Sequence, residues 1–188
     1  RFLPQRAALT AEKDAGCATA RLHRADPEAG LVLETELRLD RASGALRVES
    51  LLENAAATAV ELRWLAVAAV PLPFWVDHVV EPLGDWCGEF RAVAAPLPAS
   101  SFLREVREGR SSHARPPYLL LCEGPPRPDA GRVLALSLAW SGDHRIRIDR
   151  LPDGRAVLQA GVLLHPGEGA LAAGERLATP ALWLAASA

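Results

Sequence analysis

The chain has 188 residues, of which 49% are hydrophobic and 23% charged, with a formal net charge of −2. A near-neutral balance with no basic stripe excludes an electrostatic nucleic-acid binder, and no apolar run approaches the roughly 18 residues that a membrane helix needs. A chain this long buries enough apolar surface to fold without a disulfide or metal staple.

The elements read in chain order have a period of two. Cys17–Arg24 is the first apolar run, closed by the turn signal Asp26-Pro27-Glu28-Ala29-Gly30. From Leu31 to Leu39 the residues Leu31, Leu33, Thr35, Leu37 and Leu39 share one face, opposite Val32, Glu34, Glu36 and Arg38. Such alternation is a strand with one wet face. Ala45–Glu53 repeats it with Leu46 and Val48 on the apolar face, and the short Gly-bearing loop 40–44 makes the two a hairpin. Ala59–Val70, Phe74–Glu81, Tyr118–Cys122, Arg132–Trp140, Arg145–Arg150, Arg155–Ala160 and Leu177–Ala186 follow as further strands, separated by Gly- and Pro-bearing turns. The Ala-rich patches Ala55–Ala59 and Ala66–Ala69 are too short to be helices alone, so both are assigned to strand. No stretch has a helical period, and no linker or internal repeat divides the chain. The expectation is one all-β antiparallel sandwich over residues 1–188 with little or no helix. Its buried face should carry Leu31, Leu33, Leu37, Leu39, Leu46, Val48, Leu134, Leu136, Leu138 and Trp140.

Few residues carry chemistry in a recognisable pattern. Gly167-Glu168-Gly169 with Ala172 matches a dinucleotide fingerprint in letters only, because Pro166 precedes it and Gly174 interrupts any helix. Ser141, Asp143 and His144 lie too close in sequence for one imidazole to reach both partners, so they read as a turn. The five histidines are scattered singly and no metal-ligand spacing occurs, so neither a metal nor a cofactor is expected. Of the tryptophans, Trp64, Trp140 and Trp183 fall inside apolar runs and are assigned to the core. Trp86, between Gly84 and Gly88, is instead displayed on a loop. Cys17, Cys87 and Cys122 are odd in number and widely spaced, which points to a reducing cytoplasm rather than a disulfide framework. Lys13 is the one lysine among the basic residues and Met is absent. With no signal region at Arg1 and an apolar end at Ala188, the sequence reads as part of a longer polypeptide.

Five motifs occur in a fixed order: Gly84-Asp85-Trp86-x-x-Glu89; Glu105-x-x-x-Gly109-Arg110-Ser111-Ser112-His113; Leu138-Ala139-Trp140-Ser141-Gly142-Asp143-His144; Pro166-Gly167-Glu168; and Thr179-Pro180. Together they resemble the N-terminal β-supersandwich domain of bacterial glycoside hydrolase family 36 α-galactosidases, over about residues 30–188. One departure is Gly88, where the family usually has an arginine. The resemblance implies a galactose-mutarotase-like supersandwich that is itself non-catalytic and precedes a C-terminal (β/α)8 barrel of the same polypeptide. That barrel carries the two aspartates of a retaining mechanism and binds the α-galactoside sugar; a homo-oligomer is a further partner class. No residue here matches the catalytic aspartate motifs, so none is assigned. Trp86, His113 and His144 are expected to gather at one end of the sandwich, facing the barrel or rimming its active-site mouth. The alternative is that each serves only its own loop. Two other classes stay open: a free-standing carbohydrate-binding module with Trp86 as its platform, and a structural or interaction β-sandwich.

Overall fold

The computed structural model describes residues 6–14, 16–111 and 114–187. Among them are strands β1 (Arg6–Lys13), β2 (Cys17–Asp26), β3 (Leu31–Asp40), β4 (Leu46–Asn54), β5 (Val60–Glu61), β6 (Trp64–Pro71), β7 (His78–Asp85) and β8 (Gly88–Pro96). The chain continues through β9 (Ser101–Val106), β10 (Tyr118–Cys122), β11 (Val133–Leu138), β12 (His144–Arg150), β13 (Ala156–Leu163), β14 (Ala170–Leu171), β15 (Arg176–Ala178) and β16 (Leu182–Ser187). No helix occurs among the described residues, and every pairing is antiparallel.

Ten strands form one sheet in the order β1-β2-β3-β4-β16-β11-β10-β7-β8, with β15 also on β4. Four more form a second sheet, β6-β13-β12-β9. The alternation sorts each strand into a core face and an outer face. Val48, Leu119, Leu121, Leu136, Leu138 and Leu182 of the large sheet meet Val67, Ile146, Ile148 and Leu158 of the small one in one cluster. Burying a leucine or isoleucine side chain contributes about 1.5–3 kcal/mol, so this cluster dominates stability. Leu52, Leu65 and Leu171 form a second cluster under the short β5–β14 ribbon.

Several boundaries differ from the sequence reading, each for a local reason. Ala55–Ala59 is a bend, not strand. Asn54 is fully buried and its Nδ2 donates to the carbonyls of Thr58, Leu171 and Ala172 at 2.9, 2.9 and 3.1 Å, which pulls the chain off the β4 line. Phe74–Asp77 is a turn closed by a Val76 N–H bond to the Pro73 carbonyl, so β7 begins only at His78. The run Ala59–Val70 divides into β5 and β6 at Leu62, whose carbonyl would lie 1.9 Å from any Cβ on Gly169. Leu177–Ala186 divides into β15 and β16 at Thr179, which clamps Ser50 twice: its backbone N–H donates to the Ser50 carbonyl at 2.8 Å and its Oγ1 accepts from Ser50 N at 2.9 Å. Strands β1, β8, β9 and β14 are additions that the alternation did not reveal.

Of the expected core, Val48, Leu136 and Leu138 are buried, while Leu31, Leu33, Leu37, Leu46 and Leu134 are half-buried against the clusters. Leu39 and Trp140 are not buried, at 41% and 42% exposure. Leu39 lies near the end of β3, opposite Leu46 of β4. Trp140 falls beyond β11, between two bends. Trp183 is also 41% exposed, because its position on β16 alternates with the buried Leu182 and Leu184. Trp64 is half-buried beneath the Arg145 guanidinium, 4.7 Å from its ring centroid.

Candidate functional site

The motif loops converge on Asp143. Its carboxylate is 6% exposed; Oδ1 accepts the Gly109 N–H at 2.8 Å and Oδ2 lies 2.6 Å from His165 Nε2. Its carbonyl accepts from Trp140 Nε1 at 3.2 Å and from the Leu163 N–H at 3.0 Å. The Ser141 carbonyl accepts the Ser111 N–H. One turn therefore ties the loops after β9, β11 and β13 together. Its glycine follows from packing: a Cβ on Gly142 would sit 2.6 Å from Trp140 Nε1, so the indole needs a bare backbone beneath it. Gly109 has φ of 78°, a left-handed conformation that glycine adopts without strain.

His144 follows this turn and is fully buried. Its Nδ1 donates to the Gly142 carbonyl at 3.0 Å, and its buried Nε2 has no partner among the described residues. Burial holds its pKa below the usual histidine value, and the charge of Arg104 pushes the same way. Arg104, 3% exposed on β9, faces the core and donates to the carbonyls of Pro116 at 2.6 Å and Tyr118 at 3.2 Å. Burial lowers its pKa to about 10. Arg104 ties β9 to the segment before β10, and neither group presents chemistry to solvent.

Trp86 is 83% exposed at the tip of the β7–β8 hairpin. The tip is an irregular turn, with Cys87 at φ 61° and Phe90 at φ 56°. Gly84 is required there, because its Cβ would meet the Gly88 carbonyl at 2.7 Å. His113 lies outside the described residues. Trp86 and His144 are thus on different sheets, one in solvent and one inside.

The sequence reading missed Asp143–His165, whose partners are 22 residues apart, and Arg104, whose one signal is a charge at an inward position of an alternating strand. It also missed a groove of about 570 Å³ on the outer face of β1–β4. Thr10, Arg21, Glu36 and Glu49 line one row across it. Arg21 Nε pairs with Glu36 at 2.9 Å and Arg47 Nη2 with Glu49 at 2.5 Å. Both carboxylates are therefore engaged with arginines. Among the described residues, no group of three or more His, Cys, Asp or Glu could hold a metal ion, and no helix is long and apolar enough to cross a membrane.

Comparison with known proteins accounts for this arrangement. The family described as the glycosyl hydrolase family 36 N-terminal domain matches residues 3–172. An Escherichia coli α-galactosidase is 36% identical over 170 residues, which are 90% of this chain and 24% of that protein. The galactosidase domain of the α-galactosidase–sucrose kinase AgaSK superposes with a TM-score of 0.86 at 18% identity, over 99% of this chain and 28% of that one. The α-galactosidase AgaA of Geobacillus stearothermophilus superposes at 0.83 with 22% identity, over 96% and 25%. These structural likenesses show the fold, and the chain spans about a quarter of the length of the relatives it matches. The chain belongs to the glycosyl hydrolase family 36 N-terminal domain family.

Proposed function

We propose that this chain is the non-catalytic N-terminal domain of a retaining α-galactosidase-like glycoside hydrolase, packed against a (β/α)8 catalytic barrel in the same polypeptide and supporting its active site or its oligomer. The observation that carries the reading is the match of residues 3–172 to the N-terminal domain family, together with a 36% identical α-galactosidase of which this chain covers 24%. Retention needs two carboxyls about 5–5.5 Å apart, one protonated and one ionised. The cross-strand pair Glu36 and Glu49 is arginine-bound on an open sheet face. The proposal therefore leaves bond cleavage, and the α-galactoside sugar, to the barrel. A cytoplasmic setting is part of it, supported by three free cysteines, of which Cys87 is exposed.

The test is direct. Purified chain incubated with an aryl α-galactoside should give no turnover, and turnover abolished by a point substitution within the chain would overturn the reading. A carbohydrate-binding module is the second reading, favoured by Trp86 standing 83% exposed. Galactoside binding by the isolated chain, lost in Trp86→Ala, would support it instead.

A further inference from the structure

The groove on the outer face of β1–β4, at about 570 Å³, falls within the roughly 300–1,000 Å³ of small-ligand sites. It crosses the point where β4 changes partner, pairing with β16 up to Val48 and with β15 from Leu51. Thr179 fills that gap, on the wall of the groove and only 7% exposed. Its Oγ1 accepts the Ser50 N–H at 2.9 Å, but its own O–H has no acceptor among the described residues. A hydroxyl buried that far ordinarily spends its proton as well as its lone pairs. On the same face His23 and Glu34 stand directly opposite each other on β2 and β3, at the roughly 4.5–5.5 Å Cβ spacing of a cross-strand pair. Among the described residues neither side chain has a hydrogen bond or an ion pair. In the next row Glu36 and Glu49 each give one carboxylate oxygen to an arginine, which leaves the second oxygen of each able to accept.

We propose that this groove binds a neutral polyhydroxylated ligand of mono- to disaccharide size. Carboxylate acceptors on Glu34, Glu36 and Glu49 stand among donors from Arg21, His23 and Thr179, while Leu51 and Ala178 add apolar surface between them. That mixture suits a ring with hydroxyls on its rim and C–H groups on its faces: each hydroxyl both donates and accepts, so it can use both kinds of group. The other ligand classes fit less well. Three carboxylates repel an anion. An organic cation would compete with the arginines already held by Glu36 and Glu49. Among the described residues no set of three or more His, Cys, Asp or Glu could hold a metal ion. The inference stands apart from the function proposed above, because it concerns this chain's own sheet face and requires neither a catalytic domain nor Trp86.

Titration of the 15N-labelled chain with D-galactose, D-glucose and melibiose, followed by amide chemical shifts, tests this. At least one of the three should give saturable shifts at the amides of Arg21, His23, Glu34, Glu36, Leu51 and Thr179. The dissociation constant should be about 1–10 mM, the range for a ligand of one or two sugar rings at ordinary efficiency per atom. Glu34→Ala, at an exposed position that leaves the fold intact, should weaken binding about tenfold, as expected for a lost hydrogen bond to a charged group. Thr179→Val should weaken it similarly and Thr179→Ser should restore it; if the valine variant does not fold, Glu34→Ala decides. Trp86→Ala should bind like the parent chain. No saturable shift up to about 50 mM, several times the expected constant, would overturn the proposal. So would binding that Glu34→Ala leaves unchanged or that Trp86→Ala removes, because the site would then lie elsewhere. Tighter binding of D-galacturonate or putrescine than of any neutral sugar would also overturn it, by making the ligand an anion or a cation.

Discussion

Asp143 offers the sharpest test of how the loops are held. Asp143→Ala removes both carboxylate contacts, to the Gly109 N–H and to His165, from a site that is 6% exposed. A hydrogen bond to a charged group contributes about 1.5–3 kcal/mol. His165 is half in solvent, so its share should be discounted towards about 1 kcal/mol. The expected loss is about 2–3 kcal/mol, whereas Asp143→Asn, which keeps the shape and one acceptor, should lose about 1 kcal/mol. In urea, with a slope of about 2 kcal/mol/M, the midpoint should fall by about 1–1.5 M for alanine and about half a molar for asparagine. The slope itself should not change. His165→Ala on top of Asp143→Ala should cost less than it does alone, since the bond has already gone. A midpoint for Asp143→Ala within about 0.2 M of the parent chain would refute the reasoning, because a buried, doubly engaged carboxylate cannot be that cheap to lose.

Three other outcomes follow from the packing. Leu136→Ala, at a fully enclosed site, should cost about 2–5 kcal/mol in thermal or urea unfolding; a cost within surface noise would put its side chain on the outer face. Gly161→Ala should fail to give a folded chain by circular dichroism and gel filtration, since its Cβ would meet the Leu65 carbonyl oxygen at 2.0 Å and Ala66 Cα at 2.5 Å. The buried His144 has a folded pKa below its unfolded value, so its contribution to stability is complete above the ordinary histidine pKa and is lost as pH falls below it towards the folded value. Unfolding free energy measured from about pH 7.5 down to about pH 5.5 should therefore decline more steeply for the parent chain than for His144→Gln; parallel curves would contradict it.

The hairpin of β3 and β4 was legible because Leu31–Asp40 alternates cleanly and loop 40–44 supplies a glycine, and β10 was legible to the residue. Strand β8 was not, because Gly88–Pro96 is rich in alanine and exposed along nearly its whole length, so no inside–outside pattern marks it. Leu39 shows the limit of alternation, which assigns a face but not whether a second layer covers it, and Trp140 shows that the period does not say where a strand ends. The motif at 140–144 was legible as a turn. Its link to His165 was not, since spacing alone cannot say that the loop after β13 folds back onto Asp143. Trp86 was rightly placed in the open, and His144 owes its burial to its place at the start of a central strand of the smaller sheet.

Strand β16 sits between β4 and β11 in the middle of the ten-stranded sheet, although it is the last described strand in the chain. Synthesis at about 5–20 residues per second delivers β1–β4 long before the strand that joins them to β11. Until Leu182–Ser187 leaves the ribosome, a nascent chain holds two half-sheets with raw, apolar edges at β4 and β11. Each edge is a template for pairing with the wrong partner. Closure is thus a late, long-range event with a high loop entropy, slow by the usual relation between contact order and rate. A polypeptide interrupted before Leu182 would lack the seam of its largest sheet and should accumulate as aggregate rather than as a folded sandwich.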